Sequence, residues 1–222
     1  MCGRMNISDH EGVQSLLQIL GITAAPGTEA RFNVAPTQTL DVVMMDGEPV
    51  LTTMSWGVSM TTKGKKGQPI TRRVTNSRDD KVWSSYLWRY LIPEQRVLIP
   101  VNGFYEWKRE NKKLVAAYHI TPANADAMFF AGIYRKPKND DESFEVSIIT
   151  TRANEAMSKV HDRMPVILGS HNAAMAWIQD NDRESLDELM QPAGEEALVF
   201  TQVGNYVNKS SNEGEECIRP ID

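Results

Sequence analysis

The cysteine at position 2 has the most distinctive chemistry in this sequence of 222 residues. An initiator methionine is usually removed when residue two is small, so we expect the mature chain to begin at Cys2. Its α-amine (pKa ~7.7–8) and its thiol (pKa ~8.5) would then lie on adjacent carbons. An aldehyde would form an imine with the amine, and the thiol would close that imine to a thiazolidine. Cys2 is therefore a candidate covalent nucleophile, with a chance cysteine at this position as the alternative.

Two other segments contain groups suited to proton transfer. Glu106 lies among aromatic residues in V-N-G-F-Y-E-W-K, and loss of hydration raises the pKa of a carboxyl, as a general acid requires. In V-H-D-R-M-P, His161 can transfer protons near neutral pH and Arg163 can bind a phosphate. The alternatives are an exposed strand glutamate and a local ion pair between Asp162 and Arg163.

A fourth candidate segment, T-N-S-R, places an amide and a guanidinium two residues apart. In an extended strand, Asn76 and Arg78 would share one face. The sequence contains no phosphate-binding glycine loop, no dinucleotide-binding pattern and no metal-ligand spacing, so we expect neither a metal nor an organic cofactor. Cys2 and Cys217 lie at opposite ends of the sequence, which favours free thiols over a disulfide.

The charge distribution points to an anionic partner although the net charge is −5. Residues 59–113 contain 13 Lys or Arg and 5 Asp or Glu, a balance of +8, and the remaining residues sum to −13. This asymmetry predicts a basic face suited to nucleic acid, with a solvated basic loop as the alternative. The 41% hydrophobic content and the lack of a membrane-length apolar run or signal peptide predict a cytoplasmic globular protein with no membrane partner.

Hydrophobic periodicity predicts a mixture of short helices and strands. A capping box at Ser8 and Glu11 would start the first helix. The predicted helices are 9–20, 80–91, 153–160, 172–179 and 184–190. The predicted strands are 40–45, 50–56, 96–101, 104–109, 114–120, 128–134, 144–150 and 197–203, with an irregular connection at 22–38, a basic loop at 59–72 and a charged turn at 137–143. This order predicts a single α+β domain over 1–222, with an antiparallel, barrel-like β core and peripheral helices.

Taken in order, the segments resemble those of the SRAP family of abasic-site processing proteins, and the resemblance covers almost the whole chain. Each segment alone is weak, whereas their common order is highly specific. The matching segments are M-C-G-R at 1–4, F-N-V-A-P at 32–36, W-G at 56–57, N-S-R at 76–78, V-N-G-F-Y-E-W-K at 101–108, V-H-D-R-M-P at 160–165 and V-G-N-Y-V-N at 203–208.

The resemblance implies a protein that binds single-stranded DNA and forms a covalent crosslink with the C1′ aldehyde of an abasic site. It assigns the nucleophile to Cys2, ring opening and proton transfer to Glu106, and orientation of the sugar to Asn76. His161 would take part in imine chemistry and in reversal of the crosslink. The residues implied to lie near the DNA backbone are Arg4, Arg78, Thr150 and Arg163.

Three departures from the family pattern concern the DNA-facing surface rather than the reacting centre. In the family a proline often follows shortly after W-G, whereas the residues here are Val58, Ser59 and Met60. The family segment N-A-R-x-E is N-S-R-D-D here, so Asp80 replaces a longer acid. The stretch 61–73 is unusually basic and is interpreted as an insertion relative to other members.

Two other functions remain open from the residues alone. One is an autoproteolytic or thiol peptidase, with Cys2, His161 and Glu106 as nucleophile, base and orienting group. The other is a single-stranded DNA-binding module without covalent chemistry. Our leading hypothesis is a cytoplasmic monomer, associated with the nucleoid when bound to DNA, that shields abasic sites during the DNA damage (SOS) response and becomes active when Met1 is removed.

Overall fold

A computed structural model of the protein describes residues 2–23, 30–136 and 143–221. Within these ranges the helices are α1 (His10–Gln18), α2 (Asp79–Val82), α3 (Glu155–Ser158), α4 (His171–Gln179) and α5 (Arg183–Leu189). The strands are β1 (Met5–Ile7), β2 (Arg31–Val34), β3 (Thr39–Asp46), β4 (Glu48–Trp56), β5 (Val58–Lys63), β6 (Pro69–Val74), β7 (Asn76–Arg78), β8 (Arg96–Val101), β9 (Gly103–Glu110), β10 (Lys113–Pro122), β11 (Met128–Arg135), β12 (Glu145–Arg152), β13 (Arg163–Pro165), β14 (Ile167–Leu168) and β15 (Leu198–Val203). Short 3-10 turns occupy Glu195–Ala197, Asn205–Asn208 and Glu215–Cys217.

Five strands of the larger sheet close into a ring. Their order is β12–β4–β3–β8–β11, and β11 pairs again with β12. The β3–β4 hairpin turns at Asp46 and Gly47, where glycine adopts a φ of 76° that other residues rarely accept. This ring confirms the predicted α+β class and barrel-like core. The sheet is mixed rather than wholly antiparallel, because β12 pairs in parallel with β4 and β7.

The alternation of side chains along the ring strands builds two cores. On β8, Val97 and Ile99 join a cluster that includes Phe104 of the second sheet. Leu98, between them, points to the other face and joins a cluster with Trp177 of α4. Because both faces are buried, β8 is a continuous apolar segment rather than an alternating one.

The second sheet brings the N-terminal segment beside Glu106. Its antiparallel order is β15–β10–β9–β1–β2. The tight β9–β10 turn has positive φ at Asn111 (48°) and Lys112 (67°), as expected of a two-residue hairpin loop. The pairing of β1 with β9 continues toward the N-terminus, where the Tyr105 N–H donates to the Arg4 carbonyl at 3.0 Å. The residues before Arg4 therefore run along β9 at Glu106.

The basic stretch predicted as a loop at 59–72 is instead most of a β-hairpin. Strands β5 and β6 pair from Val58↔Val74 to Lys63↔Pro69 and form a two-stranded sheet of their own. The hydroxyls of Thr61 and Thr71 hydrogen-bond across the strands at 2.8 Å. The prediction was wrong because charged residues masked the β-branched ones that favour a strand. Exposed cations line this hairpin: Lys63, Lys65, Lys66, Arg72 and Arg73.

Several helices are shorter than predicted, and α3 covers only Glu155–Ser158 of the predicted 153–160. Asp9, rather than Ser8, caps α1, and its carboxylate accepts from the N–H groups of Glu11 and Gly12. The helix predicted at 80–91 is helical only in α2, and the chain continues in turns. The charged turn predicted at 137–143 lies, up to residue 142, outside the described residues. No helix in the described ranges is long and apolar enough to cross a bilayer.

Candidate functional site

Cys2 is completely buried and held by its backbone. The side-chain amide of Asn76 donates from Nδ2 to the Cys2 carbonyl oxygen at 3.0 Å. The Cys2 thiol lies 3.9 Å from the carbonyl oxygen of Arg4. A fully buried side chain and an anchored carbonyl fix the position of the thiol before any substrate arrives.

Burial raises the pKa of the Cys2 thiol far above its usual range, and the negative charge of Glu106 raises this pKa further. The thiol is therefore protonated at neutral pH. Glu106, on the strand that pairs with the N-terminal segment, is itself only 3% exposed. A base next to a protonated nucleophile can accept its proton during bond formation.

The surroundings of Glu106 agree with the alternation expected of a strand. Tyr105 and Trp107 pack in a cluster with Val207 on one face of β9. Glu106 points to the other face, as does Phe104, whose ring belongs to the main core. One aromatic ring of the segment therefore shares the face of the carboxyl.

Asn76 reaches Cys2 from the mixed sheet. It begins β7, where it pairs in parallel with Ile148 of β12. Its Nδ2 also lies 3.1 Å from the Thr75 hydroxyl oxygen, so the donor side of the amide is occupied. The Oδ1 atom is buried and has no hydrogen-bond partner among the described residues. Asn76 thus anchors Cys2 with one end of its amide and leaves an acceptor at the other.

His161 lies between α3 and β13, and β13 pairs with β12 on the edge opposite β7. The Arg163 N–H donates to Nδ1 of His161 at 3.0 Å. Because Nδ1 accepts this bond, the neutral ring carries its proton on Nε2. The Asp162 carboxylate lies 3.0 Å from the same Nδ1 and would stabilise the protonated ring.

Arg4, one of the predicted DNA-backbone residues, makes several contacts within the protein. Its guanidinium donates to Asn33 Oδ1 at 2.8 Å and to the Val207 carbonyl at 3.1 Å. It also lies over the Trp107 ring, 5.5 Å from the centroid. Arg4 therefore connects the M-C-G-R, F-N-V-A-P and V-G-N-Y-V-N segments, and its DNA contact stays a prediction.

The other three predicted DNA-backbone residues differ in exposure. Arg163 forms a half-buried ion pair with Asp79 at 2.6 Å and donates to the Thr150 carbonyl. Thr150 is fully buried. Arg78 has an exposed side chain that forms two hydrogen bonds with Asp80, at 2.9 and 2.7 Å. Arg78 is the most accessible of the predicted set, and all four roles stay predictions.

Two residues that organise the site were not singled out from the sequence. Asp79 accepts from both Arg163 and the Thr151 hydroxyl, the latter at 2.9 Å. Buried Asn33 donates to the carbonyls of Val207 and Asn212, at 3.2 and 2.9 Å. Asn33 lies within the F-N-V-A-P segment and Asp79 directly follows the N-S-R segment, but the partners of both residues are distant in sequence. Within the described ranges, no cluster of three or more His, Cys, Asp or Glu side chains could hold a metal ion.

Comparison with known proteins agrees with the arrangement of these segments. The model of the family described as SOS response associated peptidase (SRAP) matches residues 1–210. The chain belongs to the SRAP family. Among similar SRAP relatives, YoqW of Bacillus subtilis (strain 168), named an abasic site processing protein, is 30% identical over 224 residues, which cover 98% of this chain and 99% of YoqW. YoaM of the same organism is also named an abasic site processing protein. It is 28% identical over 224 residues, which cover 98% of this chain and 97% of YoaM.

A solved structure has the same fold as this SRAP chain. A protein from Bacteroides thetaiotaomicron superposes with a TM-score of 0.81 at 18% identity, covering 99% of this chain and 100% of the other. The matched ring of strands and second sheet are thus a known architecture. The prediction of a single domain over 1–222 goes beyond the matched family region and stays a prediction.

Proposed function

We propose that this protein processes abasic sites in DNA by forming a thiazolidine crosslink between Cys2 and the C1′ aldehyde of the damaged sugar in single-stranded DNA. The observation that carries the proposal is the contact of Asn76 with the Cys2 carbonyl, next to a buried Glu106. The names of the relatives YoqW and YoaM support the choice of substrate. The proposal requires removal of Met1, because the imine forms on the α-amine of Cys2.

The reaction divides into three steps that need only protein groups. Ring opening needs a proton delivered to the ring oxygen and one removed from the C1′ hydroxyl, and Glu106 and His161 supply these transfers. The Cys2 amine then adds to C1′ and water leaves, which gives the imine. Finally a C–S bond forms between the thiol and C1′, the C=N π electrons move to nitrogen, and the thiol proton ends on that nitrogen.

The protonated state of the thiol fits the last step. In the chain that carries Met1, burial and the Glu106 carboxylate both raise the pKa of the Cys2 thiol, so a base has to take the thiol proton as the C–S bond forms. Glu106 accepts the proton as the C–S bond forms and returns it to nitrogen. Asn76 Oδ1, buried and with no partner among the described residues, can accept a hydrogen bond from a sugar hydroxyl. His161 acts in both directions of the imine equilibrium, so it also speeds reversal.

A thiol peptidase is the less favoured function for this site. Thiol peptidases depend on a lowered cysteine pKa beside a cationic histidine. Burial and the charge of Glu106 act on Cys2 in the opposite direction. We also propose that the protein acts as a monomer. The steps above use residues of one chain and need no second copy.

The proposal is tested by incubating the protein with single-stranded DNA that contains one abasic site, followed by a denaturing gel. Wild-type protein should give a heat-stable protein–DNA band, and Cys2→Ala should give none. Cys2→Ser should give at most an imine that needs a reductant for capture. Cys217→Ala is the matched control, since that buried cysteine lies elsewhere and should leave the band unchanged.

Three outcomes would contradict the proposal. A full yield of heat-stable product from Cys2→Ser would exclude the thiazolidine. Reversible binding without any covalent band would favour a non-covalent DNA-binding module. New fragments from a peptide substrate, lost in Cys2→Ala, would favour the peptidase. Intact mass of the purified protein shows independently whether Met1 has been removed.

A further inference from the structure

A basic cavity lies at the base of the β5–β6 hairpin, outside the group around Cys2. Its volume is about 840 Å³, and its lining residues include Arg73, Arg135, Lys136 and Thr61. The hairpin, residues 58–74, contains five Lys or Arg and no Asp or Glu. In a chain of net charge −5, such a local excess of cations produces a positive potential that attracts polyanions.

Some cations of this cavity are paired with a carboxylate of the protein and others are not. Arg135 donates to Glu145, which also accepts from the Ser59 hydroxyl at 2.6 Å. Arg73 donates to the Ser55 hydroxyl at 2.8 Å, a neutral partner. Among the described residues no carboxylate pairs with Arg73 or with the lysines of the hairpin. These side chains can therefore bind an anion without breaking an existing ion pair.

Two exposed tyrosines stand beside the same cavity. Tyr86 lines it and is 83% exposed, and Tyr90 is 65% exposed. The Arg89 guanidinium lies over both rings, 5.7 Å from the centroid of Tyr86 and 4.5 Å from that of Tyr90. Exposed aromatic rings and a guanidinium plane are surfaces on which unpaired nucleic-acid bases stack. We call these three residues the tyrosine cluster.

The hairpin and the candidate site are joined by two strands. Strand β6 ends at Val74, two residues before Asn76. On β12, Glu145 binds the base of the hairpin and Ile148 pairs with Asn76, a separation of roughly 10 Å along the strand. A polymer that has one unit at Asn76 can therefore reach the cavity with neighbouring units.

We propose that the β5–β6 hairpin and the tyrosine cluster bind the unpaired DNA strand that flanks the reacting nucleotide. Phosphates contact Arg73 and the hairpin lysines, and bases stack on Tyr86 and Tyr90. This inference rests on the proposed function, because it takes DNA as the substrate. The combination of cations with accessible rings favours an unpaired strand, since the bases of a duplex are already stacked on each other.

The test measures the affinity of the protein for undamaged oligothymidylates of about 20 and about 5 nucleotides at several salt concentrations. The double variant Lys65→Gln, Lys66→Gln should bind the long strand more weakly and should lower its salt slope by about 1.4, or ~0.7 for each lost phosphate contact. Tyr86→Ala should weaken long-strand binding at least about fivefold, whereas Tyr86→Phe should retain it because the ring remains.

The matched control removes the same charge from the tip of the β9–β10 hairpin. Lys112→Asn with Lys113→Gln keeps a residue that tolerates the positive φ at position 112. This variant should bind the long strand as wild type does. An equal loss of affinity in both lysine double variants, or an unchanged affinity in Tyr86→Ala, would overturn the inference. So would a wild-type protein that binds duplex DNA of the same length more tightly than the single strand.

A second readout separates this inference from the proposed function. Single-turnover crosslinking to an abasic trinucleotide should proceed at the wild-type rate in the hairpin variants, because one flanking nucleotide does not span the roughly 10 Å from Asn76 to the base of the hairpin. Failure of wild-type crosslinking would refute the thiazolidine proposal, while the binding measurements on undamaged DNA would still decide the role of the hairpin.

Discussion

The two sheets contribute to the candidate site in different ways. The five-stranded sheet and the segment before it supply Cys2 and Glu106, both almost completely buried. The mixed sheet supplies Asn76 and His161, both partly exposed. In the first, burial shifts the pKa of Cys2 upward and that of His119 down to about 4. In the second, charged groups are paired, as in Arg163 with Asp79.

This difference suggests that the two sheets have different roles in the site. Cys2 and Glu106, the buried half of the site, are almost inaccessible to water. There desolvation controls which groups carry protons. The site residues on the mixed sheet, the polar half of the site, are held by ion pairs and backbone hydrogen bonds instead. Asn76 joins the halves through the Cys2 carbonyl. The four predictions that follow test this difference, from the largest expected effect to the smallest.

Glu106→Gln should have the largest effect, because it removes a proton-transfer group from the buried half. Crosslinking in a single-turnover time course should slow by ~10²–10⁴. Affinity for undamaged single-stranded DNA should stay within about tenfold of wild type, or ~1.4 kcal/mol. Glu110→Gln, on the exposed end of the same strand, is the control and should react normally. A loss of affinity as large as the loss of rate would remove Glu106 from the proton-transfer role.

Asp79→Asn should destabilise the polar half. The Asp79 carboxylate accepts from both Arg163 and Thr151, so the substitution breaks a half-buried ion pair. We expect a loss of about 1.5–3 kcal/mol in the free energy of unfolding measured with urea. The neighbouring Asp80→Asn breaks an exposed ion pair with Arg78 and should cost less than about 1 kcal/mol. An equal loss of unfolding free energy in Asp79→Asn and Asp80→Asn would show that burial does not strengthen the Arg163–Asp79 ion pair.

His119 should make the buried half sensitive to acid. Burial lowers its pKa from 6.5 to about 4, so the folded protein binds fewer protons than the unfolded chain within that window. The stability that neutral His119 contributes is therefore complete above pH 6.5. As the pH falls from 6.5 toward 4, the free energy of unfolding decreases by ~1.4 kcal/mol per pH unit. Between pH 7 and pH 5 we expect a loss of about 2 kcal/mol. His119→Gln should flatten this dependence, and an unchanged pH profile would assign the acid sensitivity to other groups.

Arg78→Ala should have the smallest effect and should act mainly on DNA binding. Its side chain is exposed and paired only with Asp80 among the described residues. Affinity for single-stranded DNA should fall severalfold on any sequence, and the salt slope should decrease by about 0.7. The unfolding free energy should fall no more than it does in Asp80→Asn, and the single-turnover rate at saturating DNA should not change. An unaltered salt slope would mean that Arg78 does not contact a phosphate.

Local patterns were sufficient for the longer elements of the fold. The Asp46-Gly47 signal located the β3–β4 hairpin, and the apolar stretch at 96–101 is strand β8. Strands β1 and β7 were missed because each has three residues, too few for a periodic pattern. They exist because longer neighbours pair with them. Pro165 did indicate the extended segment that is β13, but its pairing with β12 could not be predicted. Since these three strands position Cys2, Asn76 and His161, the site geometry depended on contacts that no local pattern contains.

The chemistry of single residues was more visible in the sequence than their partners. An N-terminal cysteine is identifiable by position, and the aromatic neighbours of Glu106 suggested a desolvated carboxyl. The contact between the two required β1 to pair with β9. In the same way, Arg163 was interpreted as pairing with adjacent Asp162 or with phosphate, whereas the structure pairs it with Asp79, distant in sequence but adjacent across β12.

The burial of Cys2 has a consequence for the durability of the protein. Peroxides and alkylating reagents attack thiolates far faster than thiols, and they need access to the sulfur. Cys2 is protonated and fully buried, and Cys217, also buried, has its pKa raised to about 11. Neither sulfur therefore presents a target for sulfenic acid formation. In the chain that carries Met1, burial thus protects both thiols from the oxidants that attack exposed cysteines.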